Sequence, residues 1–464
     1  MNPLTLQDLA NILSATIAHP RDTSSSLICS GISTDSRTLR RGECFVALKG
    51  DRFDGHDHLE QAFAQGACCA LVSTAFNIKD KTGQALLQVP NTTTALGTLA
   101  RHFRQEADFR VIAIAGSVGK TSTRHIIAHV LADQFRVHQS PRNFNNLIGL
   151  PLSLLSARPH HEMVVVELGS SAPGEISYLT HISQPDIAVV TNVFPAHLEG
   201  LGDIESILRE KMSIAEGLRS GGRLIVNGDD PAIRNHCRGH ALAATTFGTS
   251  PAAQIRADQV KLSAGHSTFS VQGKAIRLPL AGPGNIANAL AAWAVCSWVG
   301  VEWESFAAAV NTLGPPPMRA DVLSLGSLTV INDCYNASPA SMENALSILG
   351  AHRVGNTGRR VCIFGEMAEL GTDSQSLHEA LGQCVAEAEV DLLIAIGPLA
   401  MFTAQTASSL HAKELQIAYF EDTISACQSL TSLIQDHDVV LVKGSRSVGL
   451  EKAVETLKEM VGSA

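Results

Sequence analysis

The segment Ala115-Gly116-Ser117-Val118-Gly119-Lys120-Thr121-Ser122 follows an apolar run, VIAIA, and precedes an amphipathic one, TRHIIAHVLADQF. Glycines at this spacing let backbone N–H groups and a helix N-terminus converge on phosphate oxygens. Lys120 would then neutralise the β/γ oxygens, and the Thr121 hydroxyl would hold Mg²⁺. The strict phosphate-loop pattern asks for glycine at position 114, where the chain has Ile114. The strand–loop–helix context therefore carries the expectation of a nucleoside triphosphate site, which names no reaction by itself.

Two further polar residues stand where predicted strands end, the place at which open α/β sheets bind ligands. Glu167 closes MVVVEL, and His197 follows TNVFPA within AHLEG. A carboxylate and an imidazole at neighbouring strand ends suit a divalent cation beside a γ-phosphate. An ordinary loop histidine is the competing reading of His197. Lys211, in LREKMSIAEGL, falls on a predicted helix, where a solvated lysine is the default.

The elements that must position these groups follow from hydrophobic period. TLQDLANIL is helical, with Thr5 as its cap. Short apolar runs at 44–48, 68–72 and 85–89 read as strands, with HDHLEQAFAQGA as a helix stopped by Gly66 and TTALGTLARHFRQEA as another. From Arg110 onward the Val/Ile-rich runs at 163–168, 186–193 and 223–228 belong to a parallel sheet covered on both faces. Residues 241–280 alternate and predict an added antiparallel patch; NIANALAAWAVCSWVG then predicts a long helix. Gly314-Pro315-Pro316-Pro317 breaks the chain as a linker does. Beyond it LTVIND, VCIFGE, LLIAIG and VVLVKG alternate with helices, a second doubly wound unit. The fold class expected is α/β in three domains, 1–107, 108–314 and 315–464.

Composition agrees. At about 150 residues per domain, 464 residues make roughly three, and 45% apolar content gives each a core. With 35 basic against 44 acidic residues and no Lys/Arg block, the chain lacks the basic face of a nucleic-acid binder. The ten cysteines show no metal spacing and read as small buried hydrophobes of a reducing compartment. The longest apolar stretch, 289–301, is too short to span a bilayer. No leader is recognised at the N-terminus, so a soluble cytoplasmic protein is expected.

Taken together, AGSVGKTS, NFNNLIGLP, ELGSSAPGEI, AHLEGLG, EKMSIAEGL, GNIANALAA, DCYNASPASM, GEMAELG and VKGSRS resemble the Mur ligases, ATP-dependent amino-acid ligases of peptidoglycan synthesis, over nearly the whole chain. GEMAELG and DCYNASPASM are similar to the MurF-type branch, which adds D-Ala-D-Ala to UDP-N-acetylmuramoyl-tripeptide. STDSRTLRRGECFVALKGDRFDGHDH resembles the UDP-binding domain that this branch shares with the diamino-acid-adding ligases, whose DNPR signature is absent.

The resemblance implies a small UDP-sugar-binding domain, a central ATPase domain and a Rossmann-like C-terminal domain, in a monomer with no membrane span. It implies ATP and two Mg²⁺ ions, one on Thr121 and Glu167 and one on His197. Lys211 matches a lysine that CO₂ converts to a carbamate serving that second ion. With the loop 116–122, Asn285, Asn288, Arg319, Asp333, Tyr335 and Asn336 would meet ATP. Ser33, Asp35, Ser36, Arg37 and Lys49 would line the UDP site. Asn143, Asn145 and Asn146 would contact the sugar-peptide, and Lys443, Ser445 and Arg446 the incoming dipeptide. Lys120, Lys211, His197, Arg319 and Asp333 would carry catalysis. The chain departs from the family pattern in three places: at Val118, at Gly284 before Asn285 where the family usually has His, and at the step Phe194-Pro195 before His197. The same chemistry with another amine, a folate polyglutamate ligase, a plain P-loop NTPase or kinase, and a non-catalytic ATP-dependent scaffold are the alternatives.

Overall fold

The structure, a computed structural model, describes residues 3–18, 27–77, 84–352, 358–410 and 415–462. Its first part carries a five-stranded sheet in the order Thr16–Ala18, Leu86–Val89, Cys69–Ser73, Glu43–Val46, Gly31–Ser33, parallel except for the Thr16–Ala18 edge. Thr5 caps the helix Leu6–Leu13 reciprocally: its Oγ1 accepts from Asp8 N–H at 3.1 Å, and Asp8 accepts from Thr5 N–H at 3.0 Å. The helix expected over 56–67 is shorter, a 3₁₀ turn Gly55–His58 followed by Leu59–Ala64, and Gly66 ends it at φ 100°.

The helix Thr92–Glu106 turns its Leu96 and Leu99 face toward Leu150, Leu154, Leu179 and Ile182 of the middle part, in one continuous core. The fully buried Arg104 closes this seam. It donates to the carbonyls of Phe109, Ser183 and Gln184 and pairs with Asp186 at 2.8 Å.

The middle sheet has nine strands, ordered Lys274–Leu278, His266–Val271, Ile255–Ser263, Ala244–Gly248, Arg223–Asn227, Ile187–Val190, Arg110–Ala115, Met163–Glu167, Val137–Gln139. The antiparallel patch expected over 241–280 begins only at Ile255. Ala244–Gly248 extends the parallel sheet instead, because the helix Pro231–Gly239 supplies the crossover a parallel pair requires. The last hairpin closes through Gln272 and Gly273, both at positive φ, which matches strand twist. The long helix expected near 285 is Pro283–Trp298 and packs on Lys120–Leu131.

After 313–316, which hold neither helix nor strand, the third sheet runs Asp321–Leu325, Leu328–Asn332, Val439–Lys443, Arg360–Gly365, Leu392–Ile396, Gln416–Phe420. All neighbours are parallel except the Asp321–Leu325 edge hairpin. The two outer strands were not anticipated: both are half exposed, so neither shows a continuous apolar run. All ten cysteines are unpaired and buried or half-buried, and burial pushes the Cys296 and Cys362 thiols up.

Candidate active site

A cleft of about 750 Å³ opens where the C-terminal ends of the middle strands face the third part of the chain. The phosphate loop forms one wall. Gly116 (φ 140°) and Gly119 (φ 87°) hold backbone that side chains rarely adopt; a Cβ on Gly116 would lie 2.0 Å from Thr191 Oγ1, and one on Gly119 2.3 Å from Asn288 Oδ1. Asn192 and Thr191 fasten the tip. Asn192 Oδ1 accepts from Val118 N–H at 2.9 Å, while Thr191 Oγ1 donates to Val118 C=O at 2.6 Å. Val118 is thus held by its backbone, and its side chain is not required there. Lys120 folds back over the loop, its ammonium donating to Gly116 C=O at 2.7 Å. Burial lowers its pKa to about 8, with the Glu167 charge opposing the shift and Arg319 adding to it.

Beneath the loop, Thr121 Oγ1 donates to Glu167 Oε2 at 3.2 Å. Glu167 is 1% exposed, and its Oε1 makes no hydrogen bond, although Arg124 Nε lies 2.8 Å away out of line. A hydroxyl and a carboxylate oxygen with a free lone pair are the hard donors that Mg²⁺ takes beside nucleotide phosphates. No cluster of three or more His, Cys, Asp or Glu forms a ready-made cage among the described residues.

His197 lines the same cleft from left-handed backbone at φ 56°, and its Nδ1 meets the Glu369 carboxylate of the third part. Burial keeps its pKa below the usual range, against the pull of Glu369, so the neutral imidazole a metal requires is favoured. Lys211, expected to be solvated, is instead 1% exposed, its ammonium donating to Ser170 Oγ at 2.7 Å. The helix Ile204–Met212 turns this position inward, and its neighbour Glu210 is occupied by the N–H groups of Gly174 and Ile176.

The opposite wall comes from the third part. Lys443 and Asp333 form a buried ion pair at 2.7 Å, and Lys443 also donates to Asn336 C=O. The Arg319 guanidinium stacks 4.1 Å over the Tyr335 ring, which sets its aim into the cleft. Asn285 and Asn288 line the floor, Asn288 accepting from Thr123 at 3.1 Å. Gly284 N–H donates to Asn344 Oδ1 at 2.8 Å, and a Cβ at 284 would meet that oxygen at the same distance. Asn344 fills the space a side chain at position 284 would need.

The cleft thus gathers Ser117 to Ser122, Asn143, Asn145, Asn146, Glu167 and His197 with Asn285, Asn288, Arg319, Asp333, Tyr335, Asn336 and Lys443. Lys211 reaches its edge through Ser170. Ser445 is turned inward, accepting from Ala368 N–H, and Arg446 leans toward Glu451 at 3.5 Å. Ser33, Asp35, Ser36, Arg37 and Lys49 lie away from the cleft. Arg37 pairs with Asp35, holding that carboxyl down at about 2; Ser36 bonds Gln61, and Lys49 pairs with Asp54. Arg124, Asn192, Ser170 and Glu369 join the site without a role legible from the sequence. Arg124 had a signal, one helical turn after Lys120, and Glu369 and Ser170 lay inside quoted motifs.

Comparison with known proteins agrees with this geometry. The chain matches the Mur ligase family, catalytic domain over residues 29–104, the Mur ligase middle domain over 114–296, and the Mur ligase, glutamate ligase domain over 318–446. It is 33% identical to the UDP-N-acetylmuramoyl-tripeptide–D-alanyl-D-alanine ligase of Bacillus subtilis, covering 98% of both chains, and 33% identical to that of Escherichia coli, covering 99% of both. Among solved structures it is similar to MurF from Acinetobacter baumannii, with TM-score 0.89, 29% identity and 99% of both chains covered. It is also similar to MurF from Thermotoga maritima in complex with ADP, with TM-score 0.81, 27% identity, and 93% and 98% covered. With a phosphate loop closed by a strand–helix turn and full-length likeness to these ligases, the chain belongs to the Mur ligase family, on its MurF branch.

Proposed function

We propose that this chain is an ATP-dependent ligase that joins D-alanyl-D-alanine to UDP-N-acetylmuramoyl-tripeptide, forming ADP and phosphate, in the cytoplasmic synthesis of peptidoglycan precursors. The observation that carries the reading is full-length likeness to ligases of that name, supported by a cleft lined by Lys120, Thr121, Glu167, His197, Arg319 and Asp333. Residues 1–107 bind the UDP-sugar through Ser33, Asp35, Ser36, Arg37 and Lys49, residues 108–314 bind ATP, and residues 315–464 deliver the dipeptide. The chain acts as a monomer.

The tripeptide carboxylate, presented by Asn143, Asn145 and Asn146, attacks the γ-phosphorus of ATP; an acyl phosphate forms and ADP leaves. The dipeptide amine then attacks the acyl carbon, losing a proton, and phosphate departs from a tetrahedral intermediate. Lys120 and the N-terminus of its helix offset the charge on the transferring phosphoryl group. Arg319, aimed by Tyr335, meets the nucleotide from the third domain, with Asp333 and Asn336 beside it. Lys443 and Arg446 face the dipeptide, while Ser445, expected beside them, is turned inward to hold the loop at Ala368. Mg²⁺, when bound on Thr121 and Glu167 and on His197 with carbamylated Lys211, supplies the positive charge that lets two anions approach. Because two domains furnish the walls, closure of the third on the second assembles the site, with Pro315-Pro316-Pro317 bordering the hinge.

ADP release by pure protein with UDP-N-acetylmuramoyl-tripeptide tests this reading, with D-Ala-D-Ala present or omitted and the product weighed by mass spectrometry. Dipeptide-dependent ADP release and a pentapeptide product are expected. ADP release indifferent to the dipeptide, or a product carrying lysine or diaminopimelate instead, would refute it.

A further inference from the structure

Glu369 lies on the loop that leaves strand Arg360–Gly365, and its carboxylate meets His197 Nδ1 across the boundary between the third and middle domains. Three features mark this as a built contact. His197 and Glu369 both hold left-handed backbone, at φ 56° and 63°, which residues other than glycine adopt at a cost. The two backbones are tied beside the side chains, Glu199 N–H donating to Glu369 C=O at 3.2 Å. The glutamate loop is also pinned from behind: Ala368 N–H donates to Ser445 Oγ at 2.8 Å, and Ser445 N–H to Glu366 C=O at 2.9 Å. This gives Ser445 a supporting task apart from any substrate contact.

An imidazole whose Nδ1–H donates to a carboxylate keeps its lone pair on Nε2, the nitrogen left for the cleft that His197 lines. We propose that Glu369 is a positioning residue for the second divalent cation, fixing His197 in the tautomer whose Nε2 ligates. Because Glu369 belongs to the third domain, the second cation is held tightly only while that domain is docked on the middle one. The proposal rests on the reading of His197 as a cation ligand given above. Carboxylate partners of this kind orient the ring and raise its basicity, and their loss costs about 10–100-fold in metal affinity. The position at Thr121 and Glu167 takes no part in the contact, so its affinity stays unchanged.

Titration of the full-length protein with Mn²⁺ in the presence of a non-hydrolysable ATP analogue, followed by electron paramagnetic resonance of the free ion, counts and ranks the bound cations. The native protein is expected to bind two and His197→Ala one. Glu369→Ala should keep the tighter site, which also shows that it is folded, and weaken the other by about 10–100-fold. Glu369→Gln, whose amide oxygen still accepts from Nδ1–H, should fall between. A second site that is unchanged or tighter in Glu369→Ala overturns the proposal, the tighter case meaning that the carboxylate competes with the ion. So does a defect confined to KM for D-Ala-D-Ala, which would assign Glu369 to the incoming amine. If His197→Ala retains both cations, the reading of His197 itself fails, and the two failures are distinguishable.

Discussion

Lys211 Nζ donates to Ser170 Oγ at 2.7 Å from a position only 1% exposed. Burial, with Lys120 adding its charge and Glu210 and Glu175 pulling the other way, lowers its pKa to about 7. Burying an ammonium is costly, so near neutrality a share of this amine is uncharged and nucleophilic. In the proposed carbamylation, attack on CO₂ would form an N–C bond and release one proton, turning the burden into an anion. Turnover is therefore expected to fall in CO₂-depleted buffer and return with bicarbonate. A carbon-13 carbamate resonance should grow in from labelled bicarbonate and be absent in Lys211→Ala. That variant should lose activity on the order of 100-fold or more and recover part of it with acetate; full rate without acetate would make Lys211 a packing residue only.

The same lysine makes stability depend on pH. Unfolded, it titrates near about 10.4, whereas in the fold it releases its proton at about 7. Between those values the unfolded chain binds more protons than the folded one, so stability rises with pH across that window. Below it both states are protonated and the full burial penalty applies. Urea midpoints in CO₂-free buffer should climb from pH 7 to 9 in the native protein, and the climb should be smaller in Lys211→Met. Identical slopes would show that Lys211 is not the group responsible.

Lys120 reaches over the loop to Gly116 C=O at 2.7 Å, which holds its ammonium against the loop proposed to cradle the phosphates. Lys120→Ala should lower kcat by about 10²–10³-fold or more, with the circular dichroism spectrum unchanged. Near-native turnover would remove Lys120 from the chemistry.

Gly116→Ala tests the loop from its backbone. At φ 140° the new Cβ would lie 2.0 Å from Thr191 Oγ1, the hydroxyl that holds the Val118 carbonyl, so either the loop or its anchor must move. Loss of nucleotide binding by at least about tenfold is expected, since the N–H cradle depends on that geometry. Calorimetric titration with ADP measures it, and native affinity would show that the loop tolerates the strain.

Much of this site was legible because backbone requirements leave marks in sequence. Gly116 and Gly119 announce positive φ, and Glu167 and His197 follow apolar runs that can only be buried parallel strands. What escaped were features made by contacts between distant segments. Lys211 reads as a surface lysine until the helix Ile204–Met212 is docked with that face inward. Asn344 explains Gly284 only once two helices of different domains meet, and Glu369 finds His197 from 172 positions away. The net charge near −9 was no guide to ligands, since Lys120, Arg319 and Lys443 converge locally against an acidic whole. The outer strands Asp321–Leu325 and Gln416–Phe420 were missed for the opposite reason, being edges whose exposed positions dilute the apolar signal.

Arg104 is the residue on which the first two domains are joined. It lies at 0% exposure, donates to three backbone carbonyls and pairs with Asp186, which also accepts from Val111 N–H at 2.7 Å at the start of the phosphate-loop strand. Truncation to alanine would leave those carbonyls without a donor and the Asp186 charge half enclosed, with only Arg219, 3.9 Å away, to balance it. Removing one partner of a buried pair costs about 3–5 kcal/mol, and the partial exposure of Asp186 places the expectation at the low end, about 3 kcal/mol. Arg104→Lys keeps the charge but not the planar fork that serves several acceptors at once, so it should restore only part of the loss. The measurement is urea unfolding followed by tryptophan fluorescence, together with limited proteolysis between residues 100 and 115. A single transition in the native protein that splits into two in Arg104→Ala, with early cleavage at that seam, is the expected outcome. A midpoint within error of the native protein would mean that the apolar contacts of Leu96 and Leu99 hold the domains together by themselves.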